Sequence, residues 1–306
     1  MKILVTGGAG FIGSHITDSF IEQGHDVVIL DNLSMGRMEN IHPKAKFYLM
    51  DIRAKECGKV FEREKFDVVC HHAAQMDVRV SVEDPIFDAD VNVLGTLNIL
   101  QNCVRFGVQK VLFASTGGAV YGEQETFPCG EDHPNRPVSP YGITKLTVEK
   151  YLFYYNIQFG LKYVILRYAN IYGPRQNPHG EAGVVAIFCK RLLAGEQPVI
   201  NGDGKQTRDY VYVGDVVRAN ILGLTYEKNE TFNIGTAIET DVNELFRHLN
   251  TMTGGSAEEK HGPEKMGEQK RSVISFKKAK KLLGWNPEVD LKEGLKRTVR
   301  YFREKG

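Results

Sequence analysis

Lys2-Ile3-Leu4-Val5-Thr6-Gly7-Gly8-Ala9-Gly10-Phe11-Ile12-Gly13-Ser14 is the stretch that decides the fold. The β-branched run over Ile3–Thr6 reads as a buried strand, and Gly13–Gln23 carries the apolar spacing of a helix. Between them the glycines are spaced GxxGxxG. Gly7 permits a tight turn, Gly10 lets backbone approach a pyrophosphate, and Gly13 lets the helix pack close on the sheet, with Phe11 and Ile12 between the last two. The N–H groups that open such a helix lack intrahelical partners and face an anion. A second strand, Asp26–Asp31, ends on a carboxylate. Strand, glycine turn, helix, strand and terminal acid in this order read as a dinucleotide site. The Asp31 carboxylate would accept from the adenosine ribose hydroxyls and repel a 2′-phosphate, so the expected cofactor is NAD rather than NADP. A glycine turn without a ligand is the plainer alternative, and this context argues against it.

The same rhythm runs on. Lys46–Met50, Asp67–His71, Lys110–Ser115 and Lys162–Arg167 read as further strands. Pro85–Phe106 and Pro140–Phe159 carry apolar residues at three- and four-residue spacing, as packed helices do. The expected class is α/β: a parallel, doubly wound Rossmann sheet with right-handed crossovers and helices on both faces. After about Tyr168 the pattern changes. Loops rich in Gly, Pro and Asn (Asn170–Gly183, Asn201–Arg208) flank a helix at Val184–Ala194, and Thr231–Gly235 reads as one more strand. Thr253–Arg271 is polar and irregular, and Phe276–Leu283 and Leu291–Glu304 close the chain as helices around Gly284-Trp285-Asn286-Pro287. The expected organisation is a nucleotide-binding domain over 1–168, to which about 209–236 returns, and a smaller interleaved substrate lobe from 169–208 and 237–306.

Composition narrows the partners. The 306 residues are 42% hydrophobic and 25% charged, ordinary for a globular protein, and the net charge of +1 argues against nucleic acid or an anionic membrane. No run of about 18 apolar residues spans a bilayer, and the opening apolar run is too short for a signal peptide. The five cysteines are scattered singly, which suits a reducing, cytoplasmic setting. No metal site is expected, because His71 and His72 are adjacent strand residues and point to opposite faces.

Tyr141-Gly142-Ile143-Thr144-Lys145 opens a helix after Ser139-Pro140. Positions i and i+4 share a helical face, so the Lys145 ammonium can sit beside the Tyr141 phenol and the cofactor ribose. A neighbouring cation favours phenolate, and a phenolate can take the proton of a sugar hydroxyl while the carbon is oxidised by nicotinamide. Alone this pair also fits a solvated helix face; its weight comes from the nucleotide fingerprint upstream. Ser115 and Thr116 lie just past a strand, where ligands of open α/β sheets bind. Either hydroxyl can bridge tyrosine and substrate, or satisfy its own turn.

These motifs together resemble the extended short-chain dehydrogenase/reductase family, of the NAD-dependent epimerase/dehydratase type. GGAGFIGS, the Ser115–Gly122 segment, YGITK, LRYANIYGPRQ, DGKQTRDYVYVGDV, FNIG and LLGWNP carry the resemblance along essentially the whole chain. It implies Tyr141 as acid/base, Lys145 as its partner and Thr116 as the bridging hydroxyl, with Ser115 as the alternative. It implies Asn32 and Ser34 beside Asp31 at the adenosine ribose, and Asp51 and Ile52 at adenine. Ala73, Ala74 and Asn92 would border the nicotinamide half, and Tyr168 would lie along the cofactor. Asn170 and Arg208 would meet a sugar-nucleotide diphosphate; a surface ion pair of Arg208 with Asp209 is the plainer reading.

Within the family the chain is most similar to the branch that epimerises UDP-hexoses at C4. Dehydratases supply Asp-Glu after the threonine, where this chain has Gly117 and Gly118, so epimerisation is favoured. Epimerisation or decarboxylation of UDP-glucuronate is the enzymatic rival, and a non-catalytic NAD-binding scaffold the rival from another class. The family pattern Arg-x-Gly-Asp, followed by a size-determining position, reads here as Lys265-Met266-Gly267-Glu268 and then Ser272. Lysine loses the bidentate fork, and Arg271 is the candidate to compensate. The small Ser272 implies room for a 2-acetamido group. Relatives commonly dimerise through the helices at 85–106 and 140–159, so a homodimer is expected.

Overall fold

The computed structural model describes residues 1–178, 183–264 and 269–305. Strands β1 (Lys2–Thr6), β2 (Asp26–Asp31), β3 (Lys46–Leu49), β4 (Val68–His71), β5 (Lys110–Thr116) and β6 (Lys162–Tyr168) alternate with helices, except that a short 3-10 turn, Met38–Asn40, joins β2 to β3. Those helices are α1 (Phe11–Glu22), α2 (Cys57–Glu64), α3 (Val78–Glu83), α4 (Pro85–Ala89), α5 (Gly95–Arg105) and α6 (Pro140–Phe159). Then follow β7 (Asn170–Tyr172), α7 (Val184–Leu193), β8 (Ile200–Asn201), β9 (Thr207–Tyr212), α8 (Val213–Thr225) and β10 (Glu230–Ile234). The chain closes with β11 (Glu239–Asp241), α9 (Val242–Thr253), β12 (His261–Gly262), β13 (Arg271–Ser272) and α10 (Leu291–Lys305).

Seven strands form one parallel sheet in the order β10-β6-β5-β4-β1-β2-β3. The order reverses between β1 and β4, and such a switch point opens a crevice beyond the carboxyl ends of the strands. Strands buried on both faces must be apolar throughout, and alternate residues serve different cores. Ile3 and Val5 pack with Ile16 and Phe20 of α1 and Val216 and Ala219 of α8, whereas Leu4 faces Phe61 of α2, Leu100 of α5 and Val148 of α6.

Three local features depart from the expected elements. A π-helical turn, Asp90–Leu94, divides the helix expected over 85–106, adding one residue without disturbing the apolar spacing on either side. Helices α8 and α9 stand where no helix was expected. α8 packs against α1 on one side and β5 and β6 on the other, so it shows little polar face to read. β9 is the middle of a small sheet, pairing with β11, β13 and β7, and the chain re-enters the main layer only with α8. Ala279, Leu283 and Trp285 likewise pack into the main core, and the Trp285 indole donates to the Asp215 carbonyl at 2.8 Å. No helix among the described residues is long and apolar enough to cross a membrane.

Candidate active site

The glycine turn lies at the switch point. Gly7 holds φ at +71°, and a Cβ there would fall 2.8 Å from the Ala73 nitrogen, just past β4. A Cβ on Gly13 would fall 2.3 Å from the Gly7 carbonyl, whereas Gly10 meets only that carbonyl, at 3.2 Å. The turn is therefore closed on the sheet side and open on the other, as a pyrophosphate requires. Asp31, at the end of β2, accepts from the Ala9 and Leu33 amides at 3.0 and 2.8 Å. Burial raises its pKa against those bonds, and each oxygen keeps a lone pair for a ribose hydroxyl. Asn32 donates to Asp51 at 2.9 Å and accepts from the Ser34 amide at 3.0 Å, closing the adenosine end. The Asp51 carboxylate is taken by Arg53 and Asn32, and the Arg53 hydrogen bonds hold it well below the carboxylate range. Ile52 is buried against Gly95. These residues fit a dinucleotide.

Two of the expected cofactor contacts carry internal hydrogen bonds. Asn92, in the π turn, donates to the Gln75 carbonyl, Asp88 and Thr144, and accepts from the Gln75 amide at 2.8 Å. Its side chain braces the loop after Ala73 and Ala74. The Tyr168 hydroxyl bonds His72 Nε2 at 3.1 Å and the Asn220 amide at 2.9 Å, inside the core. His71 and His72 do point apart: the His71 ring bonds the Thr6 and Thr96 hydroxyls. Burial first, then the charge of Lys145, pushes both histidines down to about 3.

α6 begins where the sequence says. The Ser139 hydroxyl accepts from the Gly142 amide at 3.2 Å and Pro140 fills the first helical position. One turn in, buried Lys145 donates to the Ala114 carbonyl at 2.9 Å, with its ammonium 5.8 Å from the Tyr141 ring centroid. A Cβ on Gly142 would fall 2.7 Å from the Ala119 carbonyl, so the first turn of α6 abuts the turn that leaves β5 at Thr116. Strand alternation separates the two candidate hydroxyls. Ser115 points inward and donates to Glu149 at 2.5 Å, where Glu149 is paired with Arg167. Thr116 is left facing the crevice end: a Cβ on Gly118 would lie 3.7 Å from Thr116 Oγ1 and 3.8 Å from Asn170 Oδ1, so these groups converge.

β9 brings up the other wall. Arg208 stands opposite Ser272 of β13 in the parallel ladder, and Asn170 of β7 stands opposite Tyr210. Asp209 turns the other way into the 236–237 turn, which removes the surface ion pair with Arg208. Arg271, the candidate to compensate for Lys265, turns two of its three guanidinium nitrogens, Nη2 and Nε, to Glu239 at 2.6 and 2.7 Å. Lys265 and Glu268 lie outside the described residues.

Residues 3–235 match the NAD dependent epimerase/dehydratase family. The chain belongs to that family. A UDP-glucose 4-epimerase of Thermotoga maritima, solved with UDP-glucose, is 50% identical; the match covers 100% of this chain and 99% of that one at a TM-score of 0.98. A UDP-glucose 4-epimerase of Thermus thermophilus in complex with NAD is 45% identical over 99% of each chain, at a TM-score of 0.95. The UDP-glucose 4-epimerase of Mycolicibacterium smegmatis is 44% identical over 100% of this chain and 99% of its own.

For a member of the epimerase/dehydratase family, the residues that the sequence reading missed are those that brace the site. Glu149 lies one turn beyond Lys145, and its signal was the continuation of the i, i+4 spacing. Asp88 accepts from Gln75, Asn92 and Thr144 while fully buried, and joins α4 to α6. Asp209 was legible from the rule that separated His71 from His72, since Arg208 and Asp209 are also neighbours on a strand.

Proposed function

We propose that this protein inverts C4 of a UDP-hexose, interconverting UDP-glucose and UDP-galactose through a 4-keto sugar. The observation that carries the reading is Lys145, fixed between the Ala114 carbonyl and Tyr141 at the crevice where Thr116 ends β5. Bound NAD supplies oxidation and re-reduction at C4, held by Gly7, Gly10, Gly13 and the Asp31 side of the turn. Tyr141 takes the C4 hydroxyl proton as the carbon is oxidised and returns it afterwards; the Lys145 ammonium stabilises the phenolate. Thr116 orients the C4 hydroxyl, and Asn170 and Arg208 hold the diphosphate so that the keto sugar can turn over without leaving.

Gly117 and Gly118 bring no titratable group beside Thr116, which favours epimerisation over loss of water. Ser272, small and beside Arg208, supports acceptance of UDP-N-acetylhexosamines as well. Residues 1–168 with the α8–β10 return and the 279–285 segment packed on it act as the nucleotide-binding part, the remainder as the sugar-nucleotide lobe. Val82, Ile86, Leu94, Phe153 and Ile157 leave apolar surface exposed on α3 to α6, and a second copy covering it makes a homodimer. The five cysteines are unpaired and buried, which suits the cytoplasm.

The test is incubation of the purified protein with UDP-galactose and no added NAD, with product NMR. UDP-glucose should form, and Tyr141→Phe should keep NAD and UDP while losing about three or more orders of magnitude in kcat. Full activity of Tyr141→Phe would overturn the mechanism. Sedimentation should give twice the 34.4 kDa chain mass.

A further inference from the structure

The Asp209 carboxylate gathers three segments that are distant in sequence. It is 1% exposed. One oxygen accepts from the Thr236 amide at 2.8 Å and the Thr236 hydroxyl at 2.6 Å. The other accepts from the Ala237 amide at 3.1 Å and the Ile274 amide at 3.3 Å. Thr236 and Ala237 follow β10, the edge strand of the main sheet, and Ile274 follows Ser272 of β13. The backbone is shaped around this acid. A Cβ on Gly235 would fall 2.5 Å from its Oδ2 and 2.6 Å from Ile274 Cγ1, and Ala237 holds φ at +59°.

We infer that Asp209 is a positioning residue that aims Arg208 and Ser272 at the substrate by locking β9, the end of the main sheet and the 272–275 segment in one register. Arg208 and Asp209 are successive strand residues, so anchoring the carboxylate on one face fixes how the guanidinium leaves the other. Ser272 is paired with Arg208 and two residues from the anchored Ile274 amide. Ile274 then reaches across the site: its Cδ1 lies 2.7 Å from where a Gly117 Cβ would be, directly after Thr116. The far edge of this segment is tied separately, by Gln124 to Val273 and by Cys129 to Ser275. All four groups at the carboxylate are donors, and an ionised carboxylate accepts without donating. The inference rests on the reading of Arg208 as a diphosphate contact.

Asp209→Asn tests it. The new NH₂ must face at least one N–H donor, so one arm of the joint opens while volume and shape are kept. Calorimetric titration with UDP should show binding weakened about tenfold to a hundredfold, with bound NAD unchanged. Thr236→Val removes only the hydroxyl donor and serves if the first variant does not fold; it should weaken UDP binding less, and Thr236→Ser should restore it. Wild-type UDP affinity in folded Asp209→Asn, or in Thr236→Val where that replaces it, overturns the inference, even if the melting temperature falls. Wild-type protein that binds UDP without epimerising would sink the proposed reaction alone; failure of the wild type to bind UDP overturns both.

Discussion

Replacing Glu149 by leucine should destabilise the protein far more than replacing Glu149 and Arg167 together. Each side chain of the pair is 5% exposed, and the nitrogens meet the carboxylate at 2.5 and 2.9 Å. Removing one ion leaves the other charged and dry, which costs about 3–5 kcal/mol. Unfolding entropy of roughly 2.1 cal/mol/K per residue gives about 0.6 kcal/mol/K for 306 residues, so the midpoint should fall by about 5–8 °C. Arg167→Met should cost less, because a stranded carboxyl can take a proton whereas a guanidinium cannot lose one. The double variant, Glu149→Leu with Arg167→Met, removes both desolvation penalties and should recover at least about half of the loss. Ser115 loses its acceptor in either Glu149 variant, which costs about 1 kcal/mol that the double does not regain. Thermal unfolding of the four corners of the cycle, all at saturating NAD, measures the coupling directly. A Glu149→Leu midpoint within about 1 °C of wild type, or a double variant below both singles, would refute the burial argument.

The remaining predictions separate site from scaffold. Thr116→Val should lower kcat by about a hundredfold with little change in melting, whereas Ser115→Ala should lower stability by about 1.5–3 kcal/mol and leave kcat within about twofold; the reverse pattern would move the bridging role to Ser115. Ser272→Tyr should abolish turnover of UDP-GlcNAc while sparing UDP-galactose, read by product NMR with each nucleotide sugar. Glu64 is disfavoured as an ion by burial, but hydrogen bonds from Lys2, Lys46 and Tyr48 hold it at about 2 against an ordinary 4.5. A depressed folded-state pKa gives stability that is present above the unfolded value and lost as pH falls through the folded one. The stability gap between wild type and Glu64→Gln should therefore close between pH 4.5 and about 2; a constant gap in pH-dependent denaturant melts would refute it.

The sequence by itself determined the class of fold, the dinucleotide turn and the placement of Tyr141 and Lys145, because each is a local pattern with one periodicity. Continuous β-branched runs, three glycines before a helix and an i, i+4 pair keep their meaning wherever the chain goes next. α9 carries a legible period as well, with Val242, Leu245, Phe246 and Leu249 at helical spacing. α8 does not, since a helix covered on both sides has no polar face to mark its period. What only the tertiary structure decided is which polar groups face the crevice. Ser115 and Thr116 are interchangeable in a sequence until the sheet assigns one to the core and one to the site. Asn92 reads as a ligand contact and Asp209 only as a residue on the face away from Arg208; the groups that each holds appear only on folding. Hydrogen-bond partners 17 and 65 residues away settle those assignments, and no spacing within the chain encodes contacts that exist only once the β-strands have stacked side by side.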